Sequence, residues 1–452
     1  MASDGPNAPW TRTARSWLRP CARLRSRVAE LVERPARPTS STTHGRPVTA
    51  LSGPPASAAS TSGRPLRIVC LSPQPWEVDL PTNRQQVMAR IGENGHRVLY
   101  VETEGFVGRH LRELRGGGCR SLLRQPVSAK AVAPGVRVMK APTLVPWGHH
   151  FRRAAQVNSA LTAWAIRRRT RADAETTVLW LYDPCFAACV GKTGERFAVY
   201  DCVDDYAEQA GADRRMRSLV AAYDALAASR SRLVFATART LVERHRKHNA
   251  RTHLVRNVGN FDDFAPAADR SLRAGELATL PRPVIGFVGN FLPGKLDFTL
   301  LEAIASRRPE WTVLLVGPSR DGTTEALRRL ASRANVLWMG AKSYEDIPSY
   351  VAAFDVAIIP YLRNAYTQSC FPLKTFEYLA AGKAVVASGL PELEGMEPHV
   401  ALAEDAGGFI AAIEEALAHT SASNVATRQE LAAANTWETR TRRLLELIAT
   451  EL

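Results

Sequence analysis

The sequence contains no run of about 18 apolar residues, so no part of it is built to cross a bilayer as a helix. Its seven cysteines, at 21, 70, 119, 185, 189, 202 and 370, are odd in number and lack paired spacing. Only Cys185 and Cys189 lie close together, and neither a second pair nor a His-x-x-x-His completes a zinc site with them. Free thiols in a reducing cytoplasm are expected. Arg recurs through residues 12–27, where a signal peptide would need an uninterrupted apolar segment. No Gly-x-Gly-x-x-Gly occurs, which leaves a nicotinamide dehydrogenase without its phosphate-binding turn. No short-period repeat points to a solenoid.

What is present is ordinary for globular protein: 452 residues, 45% apolar and 23% charged, enough for two or three domains. Lys plus Arg exceed Asp plus Glu by 59 − 44 = +15, a surplus that first suggests a polyanionic partner. Its distribution argues otherwise. Residues 1–65 hold ten Arg, no Lys and the three acids Asp4, Glu30 and Glu33, so +7 sits there and +8 is left for the other 387 residues. A mildly basic body is not a nucleic-acid clamp. Residues 35–65 are almost wholly Pro, Ser, Thr, Ala, Gly and Arg, too poor in apolar area to offset the entropy of ordering, and read as a disordered linker. Ahead of it Trp17, Leu18, Leu24, Val28 and Leu31 alternate with Arg around Pro20. That is the pattern of a basic surface helix, with peripheral contact at the inner face of a membrane, or of a solvated tail. The richness in Ala and Arg fits a high-GC bacterial source.

From residue 66 short apolar runs alternate with helical stretches. Strands are expected at Arg67–Ser72, Arg97–Glu102, Val136–Lys140, Thr177–Tyr182, Phe197–Asp201, Arg232–Thr237 and Thr252–Arg256. The same grammar restarts at Val284–Gly289, Thr312–Val316, Val336–Met339, Val356–Pro360 and Lys383–Ala387. Strands apolar throughout fit parallel sheets covered on both faces. The expected fold is therefore α/β, two Rossmann-like doubly wound domains facing a cleft: a leader (1–65), an acceptor domain (66–270), a donor domain (271–430) and an amphipathic helix (431–452) crossing back to the first domain. On that helix Trp437, Leu444, Leu445, Leu447, Ile448 and Leu452 fall broadly on one side.

Two segments carry candidate chemistry. Gly289-Asn290-Phe291-Leu292-Pro293-Gly294-Lys295-Leu296 matches G-x-x-x-x-G-K up to its last position, where a P-loop needs a hydroxyl for Mg²⁺ and Leu296 has none. The underlying physics survives: a glycine turn with a lysine ahead of a helix binds a diphosphate through backbone N–H groups and one ammonium. The second segment is residues 367–383, TQSCFPLKTFEYLAAGK. Pro372 fits a helix only in its first turn and Gly382 is a natural stop. Lys374 and Glu377, at i and i+3, then share one side. They form either a surface ion pair or, beyond the carboxyl end of a strand, a ligand pair in which the carboxylate takes ribose hydroxyls and the lysine faces phosphates.

The runs CFPLKTFEYLAAGKAVVAS, VGNFLPGKLDFTLLEAI and NVLWMGAKSYEDIPSYVAAFDVAIIPY resemble glycosyltransferase family 4, retaining nucleotide-sugar transferases of the GT-B fold. Weaker matches in LSPQPW (71–76), RIGENGHRVLYVE (90–102), VYDCVDDY (199–206) and LVRNVGNFDDF (254–264) extend the resemblance over residues 66–452. It implies a hexosyltransferase-like enzyme with a nucleoside diphosphate sugar of the UDP or GDP type as co-substrate and no cofactor or metal. The implied acceptor is a glycan, a lipid-linked glycan or a secondary metabolite. By the same resemblance Glu377 is the second glutamate of the family's E-x7-E signature and binds the donor ribose, Lys374 is a basic, catalytic position before it, and Gly289, Asn290 and Lys295 form the diphosphate loop. The sequence departs from the pattern at Ser369, which stands where the first glutamate is expected, and at Asn290, where many relatives carry Arg. Ser369, Cys370 and Phe371 are then expected to offer backbone N–H groups to the sugar or phosphate.

In the first half Asp183, Asp201, Asp204 and Asp205 all follow strands. As a metal site they are outweighed by the common use of strand-end Asp as a helix cap. Asp183 and Asp204 are the expected catalytic, acceptor-orienting groups. The resemblance also implies a His near this crossover that orients acceptor and donor, and with no His between His150 and His245 that role has no matching residue. Gln74, Asn83 and Arg84, around the start of the first helix, are candidate acceptor-binding residues, with capping as the competing reading. Two other functions remain open at this level: an epimerase or phosphorylase of the same architecture, and a non-catalytic polyanion adaptor resting on the +15 alone.

Overall fold

The computed structural model describes residues 64–78, 80–103, 129–142, 150–170, 174–209, 213–320, 322–419 and 421–452. Residues 1–63 of the leader, with its basic helix pattern and Cys21, and Cys119 lie outside the described residues. All described residues belong to one compact unit.

The first half is built on β1 (Arg67–Ser72), β2 (Arg97–Glu102), β3 (Lys130–Ala133), β4 (Val136–Lys140), β5 (Thr177–Leu181), β6 (Phe197–Cys202), β7 (Leu233–Ala236) and β8 (Thr252–Leu254). Among the described residues they make an eight-stranded sheet in the order β3-β4-β2-β1-β5-β6-β7-β8. Central β1 places Ile68 between Val98 of β2 and Val178 of β5, all parallel. Its side chains alternate between two helix-covered layers. Val69 and Leu71 enter one core with Leu179 and Leu181, while Ile68 and Cys70 enter the other with Trp180 and Tyr182. Burial on both faces is why these strands read as unbroken apolar runs.

The second half carries β9 (Val284–Val288), β10 (Thr312–Val316), β11 (Val336–Trp338), β12 (Val356–Ile359), β13 (Ala384–Ser388) and β14 (Val400–Ala403), in the order β11-β10-β9-β12-β13-β14. Every pair in it is parallel.

Three elements go beyond the sequence reading. β3 pairs antiparallel with β4, so the first sheet is not purely parallel. The turn between them is Pro134-Gly135, where Gly135 has φ +67° and a Cβ would stand 2.6 Å from the His96 carbonyl oxygen. β14 and the helix Ala422–Ala434 lie in Ala-rich sequence whose weak apolar contrast hides their period.

The last helix, Trp437–Ala449, is held by the first half. Trp437, Leu444, Leu447 and Ile448 join the core that contains Ile68 and Trp180. Arg440, almost fully buried, meets the Asp201 carboxylate at 3.3 Å and donates to the carbonyls of Val255 and Arg256. Thr436 caps the helix through the Thr439 N–H. Leu452, expected on the buried side, is exposed because the helix ends before it.

Candidate active site

The two sheets turn their carboxyl ends toward each other, and the polar residues at those ends meet. In the second half β9 runs into Gly289 and β10 into Gly317, with φ of +154° and +137°. A Cβ on Gly317 would lie 1.9 Å from the Gly289 carbonyl oxygen, so only glycine lets these strand ends pass. The loop then pairs back on its neighbours, Phe291 with Ser319 and Leu296 with Tyr361. The helix Phe298–Arg307 that follows is closed by its own cap, since Asp297 Oδ1 accepts the Leu300 N–H. The diphosphate-like feature of this loop is therefore its glycine and its lysine, not a free helix end. Asn290 is exposed on it.

Lys295 and Lys374 converge on one aromatic residue. Lys374 Nζ donates to the Tyr361 hydroxyl at 2.8 Å and lies 5.3 Å from the centres of the Phe287 and Tyr361 rings. Lys295 Nζ lies 4.9 Å from the Tyr361 ring centre and 5.5 Å from that of Tyr366. Ring faces hold ammonium groups by their quadrupoles, partly replacing lost water. Burial works against the Lys295 charge, but Cys370, Tyr361, Tyr366 and Asp204 outweigh it and its pKa is raised. It stays a cation. Tyr361 itself is buried, two residues beyond β12. Neither Tyr361 nor Tyr366 was singled out by sequence, where an aromatic after a strand reads as core; a Tyr between two lysine-bearing loops was the available signal.

The helix Lys374–Ala380 starts after Pro372 and ends before Gly382, which takes φ +68°. It brings Glu377 to the same end, half-buried and close enough to Lys374 for the two charges to interact. Burial pushes the Glu377 carboxyl up to about 7, Lys374 pulls it down and Asp263 pushes it up. Gly259 lets the chain press on this helix, since a Cβ there would stand 2.9 Å from Phe376 Cβ and 3.0 Å from the Glu377 nitrogen. Beside it Tyr344 donates to Asp263 Oδ2 at 2.8 Å and accepts from Asn260.

The backbone N–H groups of Ser369 and Cys370 are not turned toward a ligand. The N–H groups of Ser369 and Cys370 close the preceding turn on the carbonyls of Tyr366 and Thr367, at 3.2 and 3.1 Å, and so are spent inside the protein. The buried Ser369 hydroxyl accepts from Thr240 of the first half at 3.0 Å. The Phe371 carbonyl accepts from Asn257 at 2.9 Å, and its ring stacks on Phe376 at 5.6 Å. Cys370, half-buried, lies near Lys295; burial raises its thiol pKa and Lys295 lowers it. This stretch thus joins the halves as much as it lines the site.

From the first half Asp204 arrives opposite Lys295. Burial raises its pKa, while Lys295 and Arg84 lower it. Arg84, buried, donates to the Tyr206 hydroxyl at 2.9 Å and lies 5.6 Å from the Tyr182 ring centre. Gln209 donates to Tyr366 across the seam at 3.2 Å. Asn83 donates to Asn257, the residue that also holds Phe371. Gln74 accepts from Thr82 at 2.9 Å and so braces the start of the first helix. Asp183 is placed as a cap: one oxygen accepts the Cys185 N–H at 3.0 Å and the other the Thr103 hydroxyl at 2.6 Å. Asp205 binds Arg244 with both oxygens, at 2.9 and 2.5 Å. The four strand-end carboxylates therefore have four different partners and do not converge.

Among the described residues Cys202, Asp224 and His245 bring metal-binding atoms within 4.8 Å of one another, all buried. Asp224 already accepts from Tyr200, and the Cys202 thiol donates to the Asp204 carbonyl at 3.3 Å. Burial lowers His245 to about 4 and raises Asp224 to about 6 and Cys202 well above a thiol's usual value. At neutral pH His245 and the Cys202 thiol are therefore neutral, while Asp224 is largely ionised.

Residues 282–419, which carry Lys295, Lys374 and Glu377, match the family described as Glycosyl transferases group 1. One relative, 37% identical over 154 residues, is the "Putative teichuronic acid biosynthesis glycosyltransferase TuaH" of Bacillus subtilis (strain 168), and the match covers 33% of this chain and 38% of that protein. Another is the D-inositol 3-phosphate glycosyltransferase of Mycolicibacterium paratuberculosis, 29% identical over 163 residues, 34% of this chain and 36% of that protein. The chain thus spans little more than a third of the length of the curated relatives it matches. Similar solved structures include a sucrose-phosphate synthase from Thermosynechococcus elongatus (TM-score 0.65, 17% identity, covering 85% of this chain and 98% of that one) and Anabaena HepE in complex with UDP and glucose (0.60, 17%, 85% and 99%). The fold is GT-B.

Proposed function

We propose that the protein is a glycosyltransferase that moves a sugar from a uridine diphosphate sugar to a hydroxyl of a glycan or lipid-linked glycan, with retention and without a divalent metal. The observation that carries this reading is the convergence of Lys295 and Lys374 on Tyr361, with Glu377 one turn beyond Lys374. Two ammonium groups suit the diphosphate, and the carboxylate suits the ribose. The TuaH relative supports a glycan acceptor and the HepE complex supports UDP.

In this mechanism the bond between the anomeric carbon and the diphosphate oxygen breaks and charge accumulates on the leaving group. Lys295 and Lys374, fixed against aromatic rings before the reaction, stabilise that charge without reorganising. The acceptor oxygen bonds to the anomeric carbon from the same face, and its proton passes to the departing phosphate oxygen. Asp204, opposite Lys295, orients the acceptor hydroxyl, with Lys295 and Arg84 opposing the upward push of burial on its carboxyl. No residue described at the site is placed as a covalent nucleophile.

The test is mass spectrometry of donor turnover across a panel of UDP and GDP sugars, with and without EDTA. UDP release that persists in EDTA supports the proposal, and release only from GDP sugars, or only with added Mg²⁺, overturns that part of it. A donor sugar converted to its epimer with no UDP released would instead favour the epimerase reading.

A further inference from the structure

The helix Arg152–Thr170 leaves its largest apolar side chain outside. Its buried side joins Ala163, Ala165 and Ile166 to the core but also buries Asn158, Ser159 and Thr162, and the Ser159 and Thr162 hydroxyls have no hydrogen-bond partner. Its outer side shows Val157 at 46% exposure and Trp164 at 58%, with Phe151 at 51% just before the first turn. A soluble surface normally pays no such cost, because burying Trp and exposing Ser and Thr is the favourable arrangement. Arg153, Val157, Ala160, Trp164 and Arg168 follow one another at helical spacing along this face, all exposed.

The charge carried by the helix itself has one sign. Arg152 and Arg153 stand at one end and Arg167, Arg168 and Arg169 at the other, with no Asp or Glu in the helix. Arg168 lies over the Trp164 ring at 4.9 Å and Arg215, from the next long helix, over Phe151 at 5.8 Å. The two arginine groups are about 20 Å apart at 1.5 Å per residue, with the apolar strip between them. Such a surface fits a plane that is anionic outside and apolar a few ångströms deeper. Nucleic acid would pair with the arginines but gains nothing from Val157 and Ala160.

We propose that the helix Arg152–Thr170 seats the protein on an anionic lipid bilayer, Trp164 and Val157 entering the headgroup layer and the arginines at both ends meeting lipid phosphates. Trp is at home at that depth because its ring is apolar and its N–H polar, and each arginine near an anionic surface strengthens binding about five-fold. This contact is separate from the arginine-rich leader and does not depend on the sugar chemistry.

The test is co-sedimentation of the full chain with vesicles of equal phosphatidylglycerol and phosphatidylcholine, against phosphatidylcholine alone. The native chain binds the anionic vesicles only, and loses them in high salt. Replacing Arg167, Arg168 and Arg169 by Gln weakens binding roughly a hundred-fold, and Trp164→Ala about ten-fold, with circular dichroism and melting temperature unchanged. Because the leader is retained in every variant, its own contribution stays constant. Anionic-vesicle binding equal to the native chain in both variants overturns the proposal. So does equal binding to phosphatidylcholine alone, or loss of binding to an oligonucleotide in the variants while vesicle binding persists.

Discussion

The Lys374 ammonium sits 3.4 Å from the point where a Cβ on Gly289 would stand. The glycine at the end of β9 and the lysine in the first turn of Lys374–Ala380 thus share one space, which a side chain at 289 would fill.

Gly289→Ala puts a methyl group 3.1 Å from Phe287 Cζ and forces φ +154° on a residue with a side chain. That conformation costs on the order of 1–3 kcal/mol. We expect a melting temperature several degrees lower and UDP binding weakened at least ten-fold, read by calorimetric unfolding and titration. Unchanged UDP affinity would place the nucleotide elsewhere.

Lys374→Met keeps the apolar stem over Phe287 and Tyr361 but removes the charge. If the ammonium stabilises the leaving diphosphate, turnover falls about 10²–10³-fold, while the fold persists by circular dichroism. Near-native turnover would remove Lys374 from the mechanism.

With its pKa at about 7, Glu377 is about half protonated at neutral pH, and only the ionised form accepts two ribose hydroxyls. UDP affinity is expected to rise from pH 6 to pH 8, approaching ten-fold per unit below 7, and to lose this dependence in Glu377→Gln. For folding the sign is opposite. A pKa raised in the folded state means that Glu377's contribution to stability is full below its unfolded value and is lost as pH rises through about 7. Glu377→Gln should therefore melt higher than the native chain at pH 8 and equally at pH 4, by differential scanning calorimetry.

Arg440→Met leaves Asp201 buried with its charge unpaired. Breaking a buried pair from one side costs about 3–5 kcal/mol, and burial already raises the Asp201 pKa against the pull of Arg440. A large fall in melting temperature is expected, partly recovered by adding Asp201→Asn. A single variant as stable as the native chain would show that the last helix is held by Trp437 and its apolar neighbours alone.

Strand content and fold class were legible because parallel strands buried on both faces leave unbroken apolar runs such as RIVCLS and TVLLV, and two series of them restart after one connection. Lys374 and Glu377 were legible because three residues along a helix is a fixed geometry, and Gly382 because a helix stop takes positive φ. The sequence also determined that Leu296 cannot serve a P-loop. Only the tertiary structure decided that Ser369 and Cys370 spend their N–H groups on Tyr366 and Thr367, that Asp183 caps while Asp204 faces Lys295, and that Tyr361 gathers both lysines. Hydrogen-bond partners and ring contacts between residues tens of positions apart follow from how the sheets pack, and no local period encodes them. The same holds for the helix Arg152–Thr170: its composition is local, but which side it turns outward depends on what the rest of the chain leaves uncovered.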